Sequence, residues 1–175
     1  TPYDAKGLLK SAIHDDNPVM FLEQKKLYRT KGEVPEEDYS IPLGVADIKR
    51  EGKDCTIVNY GRMVQVCLEA AEALEKEGIQ VEIVDIRSLL PLDTDTIIES
   101  VKKTKHVLIV HEAVQFGGFG GEICGQIADS EAFYYLDAPI KRLGGKSTPI
   151  PFNPTLEAET FPTVEKVIRA VKELV

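Results

Sequence analysis

The residue types able to do chemistry gather in a few short stretches. In the first, His111-Glu112-Ala113 sets an imidazole and a carboxylate ahead of Gly117, Gly118, Gly120 and Gly121, a run that leads into a helical pattern opening at Glu122. His111 is a candidate acid–base group because an imidazole titrates near neutrality; the competing reading is a hydrogen-bonded residue at the end of a strand. Glycine-rich loops that enter helix N-termini can cradle phosphate. Here the spacing argues against it. Gly118-x-Gly120 lacks the third glycine of a dinucleotide fingerprint, no Lys-Ser/Thr pair completes a P-loop, and Glu122 would oppose an anion. The glycines read instead as a turn packed at a subunit interface, where backbone must approach closely.

A second stretch, Asp85-Ile86-Arg87-Ser88-Leu89-Leu90-Pro91-Leu92-Asp93, follows an apolar run directly. Asp85 and Arg87 can pair, Pro91 ends the extended segment, and Asp93 is placed to cap a following helix. This describes a fold-specifying corner more readily than a catalytic one. In a third, residues 12–17 close a helical pattern with Asp and Asn. Free carbonyls of a last helical turn, with carboxylate and amide oxygens, are hard donors for an alkali or alkaline-earth cation, although a solvated helix end has the same composition. Cys55, Cys67 and Cys124 form neither a disulfide framework nor a C-x-x-C pair, and read as reduced core thiols.

The elements that must hold these groups follow from periodicity. Residues 4–14 carry Ala5, Leu8, Leu9, Ala12 and Ile13 at the spacing of an amphipathic helix, and 19–22 form a short apolar run that suits a buried strand. Residues 24–44 are charged, contain Pro35 and Pro42, and keep no period, as a linker would. A different rhythm then begins: strand 55–59, helix 63–76 closed by Gly78, strand 81–84, helix 94–103, strand 107–110. A helix over 122–129, short runs at 133–136 and 140–143, and an amphipathic helix over 163–175 complete the chain. The βαβαβ alternation specifies an α/β fold: three layers, a mostly parallel sheet of about five strands, helices on both faces. The boundaries that result are 1–24 as a helix-and-strand remnant of an upstream domain, 25–45 as linker, and 46–175 as the main domain.

At 175 residues the chain can fill one core plus an appendage. No apolar run approaches bilayer-spanning length, and a net charge of -8 with scattered basic residues repels a phosphate backbone. Membrane and nucleic acid are therefore excluded as partners. Thr1-Pro2-Tyr3 has neither an initiator Met nor a secretion-signal pattern, so an upstream segment is expected, as is a compartment that keeps thiols reduced.

Taken in order, Asp4-Ala5-Lys6-Gly7-Leu8-Leu9, Asn17-Pro18 ahead of a run ending in Glu23, Ile41-Pro42-Leu43-Gly44, the 85–93 stretch, His111-Glu112-Ala113 with its glycines, and Asp137-Ala138-Pro139 carry a family resemblance. The chain resembles the C-terminal part of the β subunit of thiamine-diphosphate-dependent 2-oxo acid dehydrogenases, including a transketolase-like C-terminal domain. The resemblance implies oxidative decarboxylation of a 2-oxo acid with acyl transfer to lipoamide, in a cytoplasmic or mitochondrial-matrix complex. It places residues 1–24 at the tail of a pyrimidine-binding domain. It implies that the glutamate activating the aminopyrimidine lies upstream in the β subunit and that the diphosphate and magnesium of thiamine diphosphate are held by an α subunit, which leaves this chain inactive alone. A potassium site is implied at Ala12, Ile13, Asp15 and Asn17. The implied partners are an α subunit and a second β subunit (α2β2) and the dihydrolipoyl acyltransferase core, for which Glu165 and Glu173 are candidate docking charges. A transketolase-type or deoxyxylulose-phosphate-synthase-type transferase domain, and a non-catalytic α/β binding module, are the alternatives.

Overall fold

The computed structural model describes residues 1–175. Apolar runs without a polar face become the middle of a sheet, because only strands covered on both sides can bury every position. β2 (Cys55–Asn59) and β3 (Val81–Asp85) are buried at all of their residues. They pair in parallel, with Ile57 opposite Ile83, and β4 (Val107–Val114) runs parallel to β2 on its other side. β5 (Lys141–Gly145) extends the sheet in parallel beyond β4, and β1 (Asp47–Arg50) closes the other edge antiparallel to β3, giving the order β1-β3-β2-β4-β5.

The sheet separates two cores. On one face, Ile57, Ile83 and Leu108 pack under α2 (Met63–Glu75) and α6 (Val164–Lys172). On the other, Val58, Val84 and Ile109 meet α3 (Thr94–Thr104) and α4 (Gly120–Ala128). Neighbouring residues of one strand thus enter opposite layers, as the pleat requires. α2 is left at Gly78 (φ +86), where Ile79 N donates to Leu74 O and Gly78 N to Glu75 O, the paired bonds of a Schellman turn. Asp93 caps α3 by accepting from Thr96 N at 3.1 Å. Under α3 the polar groups of the sheet satisfy one another. Thr56 bonds Ser100 and Thr104 at 2.7 Å each, Ser100 donates to Glu82 at 2.6 Å, and Lys103 pairs with that buried carboxylate.

Other segments depart from the sequence expectation. Residues 19–22 form no strand: Met20 is 86% and Leu22 79% exposed, because no neighbouring strand exists here to receive their backbone. The run at 133–136 joins a 3-10 helix, Glu131–Tyr135, and a second such turn, Lys25–Arg29, interrupts the linker. β1 and α5 (Pro154–Thr160) were not expected, the first because Asp47-Ile48-Lys49-Arg50 is mostly charged and the second because it is short. α1 (Pro2–His14) forms as expected but is capped by Thr1 and turns a different face inward. Its buried residues are Asp4 and Gly7, while Leu9 is exposed and Ile13 is 70% so.

Ile109 tests the second core. Ile109→Ala should cost about 2–5 kcal/mol by the transfer-plus-cavity relation, read as a lowered denaturation midpoint with unchanged slope in urea. A loss under ~1 kcal/mol would show that this layer is not close-packed.

Candidate functional site

Parallel strands deliver their following loops to one edge of the sheet, where ligand sites of open α/β sheets lie. At that carboxyl edge stand Tyr60 and Arg62 after β2, Asp85 and Arg87 at the end of β3, His111 and Glu112 within β4, and Gly144 and Gly145 at the end of β5. Because β1 runs in the opposite sense, its approach through Val45 and Ala46 also reaches this edge.

His111 does not end its strand, since β4 continues to Val114. The ring is fully buried, and its Nδ1 donates to Ala113 O at 2.9 Å, which leaves Nε2 as an unprotonated acceptor without a partner. Burial holds its pKa below the ordinary value, against the pull of the Ala113 carbonyl, and Arg142 adds to the lowering. The ring is roofed by backbone: a Cβ at Gly120 would lie 2.4 Å from Nε2, and one at Gly144 or Gly118 would lie 2.9 or 2.8 Å from Cε1. Tyr60 stacks beside it at 6.2 Å. The glycines are thus needed for close approach to an imidazole. They do not fit a diphosphate, because a lone pair underlies the start of α4 and Glu122 occupies its first turn. As placed, His111 is an internal positioning group with no surface from which to exchange a proton.

A second cluster joins α1 to the same edge. Asp4 accepts from Thr1 Oγ1 at 2.5 Å, from Lys49 Nζ at 2.5 Å and from Arg87 Nη1 at 3.1 Å. Arg87, with φ +52, also donates to Val45 O and Ala46 O at 3.0 Å each. Asp85 and Arg87 therefore do not form the ion pair expected from their spacing. The guanidinium turns to Asp4, and Asp85 receives only the Arg87 backbone N–H, at 3.2 Å, with Lys49 at 3.9 Å. Burial alone would raise the Asp4 carboxyl, but hydrogen bonds from Lys49, Thr1 and Arg87 outweigh it and hold it well below the usual carboxylate range. Asp85 lacks such donors, and burial pushes it up to about 6.

Glu112 ties a further piece to the edge, accepting from Gln24 Nε2 and from Arg62 Nη1 at 3.0 Å each. Between the opening segment and the domain lies a cavity of about 330 Å³ whose floor includes Asp85 and Arg87 and whose walls include Leu8, Phe21, Leu27 and Val64. Asp4, Lys49 and Gln24 escaped the sequence reading. The available signal was an acidic residue one turn ahead of Gly7 and Leu8, at the border of the apolar stripe.

The expected cation ligands lie elsewhere, at the end of α1. The carbonyls of Ala12 and Ile13 accept no backbone hydrogen bond, and Asp15 Oδ1 accepts from Asn17 N at 2.8 Å and Asn17 Nδ2 at 3.1 Å. These oxygens suit a hard cation, on an exposed turn that offers part of a shell. Cys55 and Cys67 are buried free thiols, and burial pushes Cys55 up to about 12; Cys124 is half-buried. Glu165 lies in the first turn of α6, and Glu173, just past its end, pairs with Lys141.

Residues 44–167 match the family model described as transketolase, C-terminal domain. The acetoin:2,6-dichlorophenolindophenol oxidoreductase subunit beta of Bacillus subtilis is 49% identical over 99% of this chain and 50% of its own length. The 2-oxoisovalerate dehydrogenase subunit beta of the same organism is 48% identical over 99% and 54%. The mitochondrial pyruvate dehydrogenase E1 component subunit beta of Caenorhabditis elegans is 47% identical over 97% and 49%. The chain thus spans about half the length of the curated relatives it matches. Among solved structures, a split gene transketolase, titled an inactive beta4 tetramer, superimposes with a TM-score of 0.68 at 31% identity, over 82% of this chain and 45% of that one.

The contact between His111 and the glycine turn has a measurable coupling. Gly120→Ala should destabilise the fold by about 1–3 kcal/mol through overpacking, and should cost less than half as much in a His111→Ala background. Equal costs in both backgrounds would show that the ring does not require the glycine.

Proposed function

Because the chain belongs to the family of transketolase C-terminal domains, we propose that it is the C-terminal half of a β subunit of a thiamine-diphosphate-dependent 2-oxo acid or acetoin dehydrogenase, serving assembly and inactive alone. The observation that carries this reading is the extent of the likeness: 49% identity runs over 99% of the chain and so includes residues ahead of the family match at 44–167. A transferase of the transketolase type is the less favoured reading, its structural relative standing at 31% identity.

In this reading residues 1–24 are the tail of a pyrimidine-binding domain, 25–45 the linker and 46–175 the C-terminal domain. The exposed Leu9, Ile13, Met20 and Leu22 are then surfaces on which the rest of that upstream domain packs. Thiamine diphosphate, with magnesium, would supply the electron sink for loss of carbon dioxide from the substrate before the acyl group passes to lipoamide. The glycine turn over His111 does not suit a diphosphate, and we assign cofactor binding to an α subunit and to the upstream half of the β subunit. The contribution of this chain is positional: Arg87 and Lys49 fasten the helix that leads from the upstream domain, and His111 supports the turn below α4.

Ala12, Ile13, Asp15 and Asn17 would provide part of a potassium shell, completed from upstream residues. Glu165 and Glu173 would steer the acyltransferase core's binding domain, and the assembly would be an α2β2 tetramer in the cytoplasm or the mitochondrial matrix. No helix is long and apolar enough to cross a membrane.

The test is turnover by this chain alone, and again after mixing with an α subunit and the upstream β segment, read as decarboxylation of pyruvate and branched-chain 2-oxo acids and as carbon–carbon cleavage of acetoin. Turnover only in the mixture is expected; turnover by the chain alone would overturn the assembly role. In the reconstituted enzyme Asp15→Ala should abolish dependence on potassium, and an unchanged potassium titration would remove the assignment.

A further inference from the structure

α1 is held to the domain by charge where amphipathic helices normally use apolar contact. Its inward face is Asp4 and Gly7, with Ser11 donating to Ile41 O at 2.5 Å and Ile41 N donating to Gly7 O at 3.1 Å. A Cβ at Gly7 would lie 2.5 Å from Ile41 Cγ1, so the close approach depends on that glycine. The strongest bonds of the contact are those of the Asp4 carboxylate to Lys49 on β1 and to Arg87 after β3. A helix fastened this way responds to the ionic state of its neighbours, and one neighbour is a carboxyl without a matched partner.

We propose that Asp4, Lys49 and Arg87 form a proton-responsive clasp fixing α1 to the carboxyl edge of the sheet, with Asp85 as the group whose protonation tightens it. The inference goes beyond the functional reading above and does not rest on it. The charged groups around Asp85 come from three elements. α1 contributes Asp4, β1 contributes Lys49 at 3.9 Å and Asp47, its register partner, and the loop after β3 contributes Arg87. β2 presents the uncharged Asn59. Lys49 is shared, lying 2.5 Å from Asp4, 2.6 Å from Asp47 and 3.9 Å from Asp85. Three carboxylates thus compete for two side-chain cations. Protonating Asp85 removes one competitor and the cost of a buried, poorly paired charge, and leaves Lys49 to Asp4 and Asp47.

The sign follows from linkage. The Asp85 carboxyl is up at about 6 when clasped; release takes Asp4 away and leaves Lys49 free to turn to Asp85, which lowers it. The stabilisation is therefore fully present below the released value and is lost as pH rises through the clasped one. Asp4 behaves oppositely: its carboxyl is lowered by the clasp, so its contribution is present above the ordinary value near 3.8 and fades as pH falls below it. Of these two carboxyls only Asp85 changes between mildly alkaline and mildly acidic pH, and the clasp should strengthen severalfold, by at most about tenfold, from roughly pH 7.5 to 5.

Amide hydrogen exchange on the full chain, corrected for intrinsic rates, reads this directly. Protection of the α1 amides should rise severalfold, by at most about tenfold, between pH 7.5 and 5, while the α2 and β2 amides serve as an internal reference for the folded core. Asp85→Asn should abolish the rise. Arg87→Lys, which loses the bonds to Val45 and Ala46, should lower α1 protection at every pH and preserve the slope with the α2 amides unaffected. The proposal is overturned if wild-type α1 exchanges at unprotected rates throughout, if its protection does not change with pH, or if Asp85→Asn keeps the full rise.

Discussion

Burial of parallel strands on both faces imposes the constraint from which the site follows. A dry sheet of Cys55-Thr56-Ile57-Val58-Asn59 and its neighbours can satisfy backbone groups only within its own ladder, and can hold side-chain polarity only where partners are supplied. Thr56 and Glu82 are supplied by α3, through Ser100, Thr104 and Lys103. Other polar side chains collect where the strands end together. Asn59, Asp85 and His111 are buried near that edge with incomplete or shared partners, each because the strand beside it leaves the core at the same level.

The edge then sorts chemically similar groups by their surroundings. Asp4 and Asp85 are both nearly buried carboxyls close to Lys49, yet one is driven far below its ordinary value and the other up to about 6. The number of hydrogen-bond donors decides, since desolvation opposes the charge on each. Lys49, Thr1 and Arg87 all donate to Asp4, Lys49 most strongly, and of the three Arg87 makes its bond from a left-handed backbone. Its left-handed backbone costs a non-glycine residue about 1–3 kcal/mol, and each hydrogen bond of its charged side chain returns about 1.5–3. Three such bonds outweigh the strain.

Periodicity made the central sheet legible, because runs such as Val107-Leu108-Ile109-Val110 admit no half-exposed structure. It placed α2, α3 and α6, and Asp93 as a cap, for equally local reasons. It misjudged pieces whose state is set by distant partners. Residues 19–22 have the composition of a strand without a neighbour to pair with. α1 has an apolar stripe, but the domain offers it the cations Lys49 and Arg87, and so receives Asp4. β1 is a charged strand that exists because β3 has an open edge. The same limit applied to the site. His111 and the glycines were visible in the sequence, whereas their mutual contact, and the diversion of Arg87 from Asp85 to Asp4, depend on three-dimensional placement.

The lone reversed strand sets where α1 and α6 lie relative to the sheet. Since β1 begins where the parallel strands finish, the opening residues come to lie over the site, where Thr1 and Asp4 line the cavity with Asp85. α6 runs alongside α2, with Lys172 joined to Glu77 at 2.5 Å, and so ends at the opposite pole of the sheet. α1 and the end of α6 thus mark opposite poles of the sheet. A fluorophore or surface tether attached through Lys172 would leave the cavity open, whereas one carried at Tyr28, which lines that cavity, would crowd it.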